Sequence, residues 1–434
     1  MDKDTALANT IASLVAEAGG RTFFVGGFVR DGLLGIDNKD IDIEVHGIYP
    51  DSLESILAKL GEVTVIGTSF GVYSLKGHNI DVAVPRTERA IGCGHRDFDI
   101  SVDPFIGTEK AAMRRDFTIN ALMKDVLTGE IVDHFGGIDD IKRGIIRHVN
   151  DATYIEDPLR VLRAAQFAAR FRFTVSDDTR RLSSTVSLAS LPKERVISEL
   201  DKAMLKSDIP SVFFEELKKM KQLEVWVPEL SALIGIKQEE KYHPEGDAWA
   251  HTMLVLDSAA SLRNKALHPR EFMYAALFHD IGKAVTTCTV DGRIRSTGHE
   301  KAGVELARSA LPRLTDEVKL QKYVVNMIEY HMLPNTMARQ RSGRKAFARL
   351  FDKSVCPHDL LLLSKADRLG QMRPETEFYT DEVYLAEQLG AFNDLMEKPY
   401  VTGADLIEAG FAPCPAFGNA LEFAHKLRLA GVSK

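Results

Sequence analysis

An α+β fold, with a mixed-sheet head followed by an all-α remainder, is what three observations predict. Between Arg21 and Arg86 short β-like runs follow one another, separated by turns or one helix. From about Asp139 onward apolar residues recur at helical spacing, punctuated by Pro and Gly. The chain has 434 residues, 45% hydrophobic and 27% charged, which is ordinary globular composition with room for several cores.

Taken in order, residues 4 to 18 carry a helical apolar period that stops at Gly19-Gly20. The runs "RTFFVGG", "DIDIEVHG", "EVTVIG", "GVYSLKG" and "NIDVAVPR" then read as strands. Later, "EDPLRVLRAAQFAARF", "SVFFEELKKMKQLEVW" and "EFMYAALFHDIGK" read as helices. A boundary near residue 145 and a second in the polar, Pro/Gly-containing stretch 236 to 249 divide the chain into segments 1–145, 146–235 and 236–434. The loop "GFAPCPAFG" precedes a final short helix, and no internal repeat is present.

The formal charge of −7 and pI near 6.0 argue against nonspecific coating of nucleic acid while allowing local basic faces. Two stretches are locally basic: Lys142 to Arg181, with nine Lys/Arg against five Asp/Glu, and "ARQRSGRKAFARLFDK" at 338–353. Cys93, Cys288, Cys356 and Cys414 lie far apart, which predicts reduced thiols rather than a disulfide framework or thiolate zinc site. No run approaches ~18 consecutive apolar residues, and "MDKDTALANT" lacks a signal-peptide core, so the chain reads as cytoplasmic, with no membrane partner.

The run "NKDIDIEVHG" places Asp40 and Asp42 on one face of a strand, with Ile41 and Ile43 on the other. Two carboxylates that close repel one another unless a cation sits between them. They suit a pair of Mg²⁺ ions, hard cations that keep coordination free for phosphate. A third carboxylate is expected on an adjacent strand, and Asp81 in "NIDVAVPR" meets that need. Ahead of them, "FFVGGFVRDGLLG" brings Gly26 and Gly27 to the start of a helix, where bare backbone amides and the Arg30 guanidinium would seat a triphosphate. A Gly-Gly turn alone is weak evidence; followed by Asp-x-Asp on a strand it is specific.

With "DID", "RTERAIGCGHRDFDI", "RRDFTINAL" and "EDPLRVLRAAQFAARF" added, the chain closely resembles the bacterial tRNA nucleotidyltransferases, or CCA-adding enzymes, of the class shared with bacterial poly(A) polymerases. The likeness covers roughly residues 20 to 230. It implies a polymerase-β-like nucleotidyltransferase head with helical neck, body and tail. It also implies CTP and ATP as substrates, added to a tRNA 3′ end without a nucleic-acid template by two-metal transfer. Poly(A) polymerase, CC-only and A-only adders are the alternatives within the class.

Cytosine and adenine each present an amine donor beside a ring-nitrogen acceptor, whereas uracil and guanine present a carbonyl beside an N–H. An Asp acceptor beside an Arg donor matches the first pattern. Asp157 and Arg160, three apart on an expected helix, are by resemblance that pair, though Asp before Pro158 is also what a helix cap looks like. Arg163 and Arg115 are the corresponding nucleotide-contacting arginines. At Gln166 the family often carries arginine, so this nucleotide-binding position keeps only amide hydrogen bonding. The glycine-bearing stretch from Arg86 to Asp99 reads as the mobile loop that in the family helps the switch from C to A addition.

His251, His279, Asp280, His299, His331 and Asp367 form a second set. Imidazole with carboxylate suits transition metals such as Ni²⁺, Mn²⁺, Fe or Zn²⁺. The set resembles an HD-type phosphohydrolase domain, in which His251, His279, Asp280 and Asp367 match the primary ligands. His299 and His331 match the added ligands of two-metal members, and Lys283 would steady a phosphate. In related CCA-adding enzymes this domain is associated with phosphatase, 2′-nucleotidase and 2′,3′-cyclic phosphodiesterase activities. A competing reading is an HD hydrolase whose head only binds nucleotide or RNA.

Overall fold

The computed structural model of the chain describes residues 3–65, 71–90, 98–372, 379–397 and 400–432. By contacts the chain forms two compact units, Met1–Glu199 with Val212–Gln222, and Leu200–Ser211 with Leu223–Lys434. This division is coarser than the three segments read from composition, whose limits at 145 and 235 it does not address.

In the first unit, helix α1 (Lys3–Glu17) buries Ala8, Ile11, Ala12 and Val15 along one face. It packs on a seven-stranded sheet built from β1 (Arg21–Val25), β2 (Ile41–His46), β3 (Val63–Val65), β4 (Val72–Leu75), β5 (Ile80–Ala83), β8 (Met123–Asp125) and β9 (Ile131–Val132). The spatial order is β3-β4-β5-β2-β1-β8-β9. Strands β2 and β5 pair parallel and the other neighbours antiparallel, so the sheet is mixed as expected. Phe24, Ile41, Ile43, Val45, Ile80 and Val82 turn into the core beneath α1. Phe23, Val25 and Met123 form a smaller cluster apart from that core. Because Phe23 is registered against Glu44, strand alternation sends Asp42, Glu44 and His46 away from the main core.

All five strands read from the sequence are present. The stretch read as a mobile loop instead begins and ends in an antiparallel pair, β6 (Arg86–Ala90) with β7 (Phe98–Val102); its remainder, 91–97, lies outside the described residues. After β5 the helices α2 (Gly27–Leu34) and α3 (Pro50–Leu57) are joined by α4 (Thr108–Met113), α5 (Gly137–Arg143), α6 (Asp151–Glu156), α7 (Leu159–Phe171) and α8 (Asp177–Ser183). Two arginines of α7 reach back to the segment that follows α4: Arg160 donates to the Arg114 carbonyl at 2.8 Å and Arg163 to Asp116 at 2.8 Å.

The second unit is helical apart from a short hairpin, Cys288–Val290 with Arg293–Arg295. Its buried centre is crossed by helices Ala248–Leu262, Pro269–Phe278 and Pro357–Gly370. Among the described residues Cys288, Cys356 and Cys414 are free, and no helix is long and apolar enough to cross a membrane.

Candidate functional site

The first site lies where β1 runs into α2. Gly26 adopts φ 64°, ψ −129°, a conformation that only glycine takes readily, and caps α2, whose first-turn amides lack intrahelical partners. A Cβ on Gly26 would lie 3.1 Å from Arg115 Nη1 and 3.8 Å from Asp42 Oδ2, so turn, arginine and carboxylate converge on one hollow. A Cβ on Gly27 would be 3.4 Å from Arg30 Nη2 and 3.6 Å from Asn38 Nδ2.

In the parallel β2/β5 pair Asp42 is registered against Asp81, which puts both carboxylates on one face of neighbouring strands. Asp40 precedes the first residue of β2; its Oδ1 accepts from Asn79 Nδ2 at 2.6 Å. Burial raises the Asp42 pKa, and the nearby carboxylates of Asp81 and Asp40 add to the rise while Arg115 opposes it. Two carboxylates near enough to disfavour the charge on a third fit a site for hard divalent cations.

Sequence reading missed Glu44. It is fully buried beneath Asp42, 3.0 Å from His46 Nε2, 3.4 Å from Arg114 Nη2 and 3.5 Å from Arg115 Nη2. Burial alone would raise its pKa, but His46, Arg115 and Arg114 pull it down to about 2. It is therefore an anion that anchors two arginines. The signal was available, since Glu44 shares a strand face with Asp42.

Other expected residues are placed differently. Arg30 is buried, donates to Asp31 Oδ1 at 2.7 Å and Asn120 Oδ1 at 2.6 Å, and lies 5.2 and 4.7 Å from the Phe167 and Phe171 ring centres. Its Nε and Nη1 are spent on Asp31 and Asn120, while Nη2 lies beside Gly27 and is also paired with Asp31. Asp157 stands before α7, not on it. Its Oδ1 accepts from Leu159 N at 3.1 Å, as a capping residue does, and its carboxylate faces Arg195 at 3.3 Å. Arg160 donates to the carbonyls of Thr153 and Arg114. Arg163 is paired with Asp116, so neither arginine projects freely from α7. Gln166 is 2% exposed, on the packed face of α7, and its Nε2 makes no hydrogen bond among the described residues.

The second site brings together all six residues read from the sequence. Two ligand groups form, His251/His279/Asp367 and Asp280/His299/His331, both buried. Asp280 stands between them: Oδ2 is 3.5 Å from His251 Nε2 and 3.2 Å from His279 Nε2, while Oδ1 is 3.2 Å from His299 Nε2 and 3.7 Å from His331 Nε2. His251 Nε2 is also 3.0 Å from Asp367 Oδ1. Lys283 Nζ lies 2.6 Å from Asp280 Oδ2 and 2.7 Å from Gln238 Oε1.

Imidazole tautomers explain why a cation fits. His279, His299 and His331 each donate Nδ1–H at 2.8 Å to the carbonyl three residues earlier, of Ala276, Ser296 and Ile328. Their Nε2 lone pairs are thus turned inward, and those of His299 and His331 meet at 3.3 Å. Buried His279 Nε2 and Asp280 Oδ1 make no hydrogen bond among the described residues. Acceptors facing acceptors in a buried place are stable only around positive charge. Burial depresses the His251 pKa, yet hydrogen bonds with Asp367 and Glu245 push it up to about 9, as befits an imidazole held among carboxylates.

Comparison with known proteins follows the same two regions. Residues 22–147 match the Poly A polymerase head domain and residues 248–372 the HD domain. A multifunctional CCA protein of Pasteurella multocida (strain Pm70) is 40% identical over 403 residues, covering 90% of this chain and 92% of the relative. Among solved structures, the Thermotoga maritima CCA-adding enzyme complexed with tRNA aligns with a TM-score of 0.62 at 21% identity, covering 100% of this chain and 93% of that one. The Bacillus stearothermophilus CCA-adding enzyme in complex with CTP aligns with a TM-score of 0.63 at 22% identity, covering 99% and 94%. A nucleotidyltransferase-type head, an HD domain and identity of this extent together establish that the chain belongs to the multifunctional CCA protein family.

Proposed function

We propose that the chain adds CMP, CMP and AMP, from CTP and ATP, to the 3′ end of tRNA without a nucleic-acid template, and that its HD domain is a metal-dependent phosphohydrolase. The observation that carries the first part is the hollow at Gly26, where a glycine-only turn, Arg115 and the registered pair Asp42 and Asp81 meet. Relatives solved with tRNA and with CTP support it.

The 3′-hydroxyl oxygen of the tRNA attacks the α-phosphorus of the bound nucleotide, one P–O bond forms, and the bond to pyrophosphate breaks. In this reading Gly26, Gly27 and the first amides of α2 seat the triphosphate, and Arg115 neutralises it. Asp40 and Asp42, with Asp81 beside them, hold Mg²⁺. Divalent ions bound there supply charge stabilisation for the attacking and leaving oxygens. Asp157 and Arg160 read the base; the ties each makes in the structure must then be exchanged for the nucleotide. Arg163 acts through Asp116 on the segment carrying Arg115. In the HD domain, His251, His279, Asp280 and Asp367 would hold a transition metal, and His299 and His331 would add ligands for a second. Lys283 lies beside Asp280, placed to meet a phosphate. Substrates of the phosphatase, 2′-nucleotidase or 2′,3′-cyclic phosphodiesterase type suit that centre. Action on tRNA also suits a cytoplasmic location.

Incubation of tRNA lacking its CCA end with each labelled nucleotide and Mg²⁺, read at single-nucleotide resolution, tests the assignment. The expected product is C, C, A and then a stop; a long A tail, two cytidines only, or A alone would each select a different member of the class. Asp42→Ala should abolish addition and leave hydrolysis by the HD domain intact. Addition that survives this change would overturn the mechanism, and no incorporation under any divalent ion would overturn the activity.

A further inference from the structure

We propose that Glu245 is the positioning residue of the buried imidazole and carboxylate centre, holding His251 by Nδ1 so that its Nε2 serves the cation; the proposal rests on the reading of that centre as a metal site. Three of the four imidazoles there are oriented by a carbonyl three residues upstream. His251 is the exception. The carbonyl at that offset, on Ala248, accepts the Thr252 hydroxyl at 2.8 Å. Instead, His251 Nδ1 lies 2.8 Å from Glu245 Oε1, a carboxylate contributed from outside the helix and fully buried at its side chain.

The same oxygen is 2.8 Å from His243 Nδ1. His243, Glu245 and His251 therefore resemble a third ligand group, but the distances argue otherwise. Ligands bonded at about 2.0–2.1 Å to one tetrahedral ion stand about 3.3 Å apart, and 2.8 Å is a direct hydrogen bond. The group is a chain of orientation: His243 fixes Glu245, and Glu245 fixes His251. Glu245 Oε2 is buried and makes no hydrogen bond among the described residues, a costly arrangement for an anion that served packing alone. A carboxylate behind a ligating imidazole sets its tautomer and raises its strength as a ligand.

The test uses the full chain and Zn²⁺ alone, titrated against a chromophoric chelator, for wild type, His279→Ala, Glu245→Gln and Glu245→Ala. Wild type should show a tight class of sites that His279→Ala loses. Glu245→Ala should weaken that class 10- to 100-fold, roughly the range for loss of such a partner, and Glu245→Gln about tenfold. Above pH 10, where the metal-free imidazole is neutral, ¹⁵N spectra of labelled histidine should show His251 shifting from the Nδ1–H form to a mixture in Glu245→Ala, which a purely structural role would not produce. A tight class kept within twofold in both Glu245 variants but lost in His279→Ala overturns the role of Glu245 alone. Equal binding by wild type and His279→Ala overturns the cation centre and this proposal with it. If Glu245→Ala does not fold, Glu245→Gln, which keeps volume and an acceptor oxygen, decides the question.

Discussion

Glu44→Gln separates anchoring from chemistry at the nucleotide site. It retains the shape beneath Asp42 and removes the charge shared by Arg114 and Arg115. The KM for CTP and ATP should rise about tenfold with kcat within about threefold, because a weakened arginine affects ground-state and transition-state binding alike. The same substitution has a pH signature. The folded pKa of Glu44 is about 2 against an ordinary value of 4.5, so its contribution to stability is complete above pH 4.5 and lost as pH falls toward 2. Urea unfolding at pH 5, 4 and 3 should show wild type losing stability faster than Glu44→Gln. Arg163→Ala leaves Asp116 buried with fewer partners and should cost about 2–3 kcal/mol in the same measurement. At this scale the sequence was most informative where chemistry requires an unusual pattern, as in Asp-x-Asp or His-Asp. Glu44 looked like a strand residue and Glu245 like part of a linker, because what distinguishes each is a partner far away in the chain.

Between elements, one close approach sets the geometry of the HD centre. A Cβ on Gly370 would come within 2.5 Å of Val255 Cγ2 and 2.9 Å of Val255 N, so helices Ala248–Leu262 and Pro357–Gly370 touch backbone to side chain there. His251 lies one turn before Val255 and Asp367 one turn before Gly370. Gly370→Ala should therefore part the two helices, lengthen the 3.0 Å His251–Asp367 contact and weaken Zn²⁺ binding at least tenfold, as measured by chelator competition. Zn²⁺ binding equal to wild type would show that the crossing relaxes without disturbing the ligands. Strands with clear alternation and long apolar-faced helices were legible beforehand. Strands β8 and β9, of three and two residues, were not, since neither carries a readable period; β8 is held by pairing to β1 and β9 by pairing to β8. In the β6/β7 pair, β6 was hidden because RTERA carries no apolar alternation.

Over the whole molecule, the count of basic residues overstates what an RNA backbone would meet. Of the nine Lys/Arg between Lys142 and Arg181, Lys142, Arg147, Arg163, Arg170, Arg180 and Arg181 face carboxylates within the protein. Arg160 is held by backbone carbonyls. The salt dependence of tRNA binding contributed by this stretch should therefore have a slope well below the value of about 8 that nine free charges would give. Filter binding across a series of KCl concentrations measures it, and a slope near 8 would mean that the internal pairs open on binding. The charge balance of the sequence was legible; the internal commitments of its arginines were not, because each is made by folding.

The in-register pairing of Asp42 with Asp81 carries its own evolutionary rule. An extra or missing residue inside β5 would swap its outward carboxylate for a neighbouring isoleucine or valine and present grease to the nucleotide. Descendants of this chain can remodel the turns on either side of that strand, but the strand itself admits substitution without insertion or deletion.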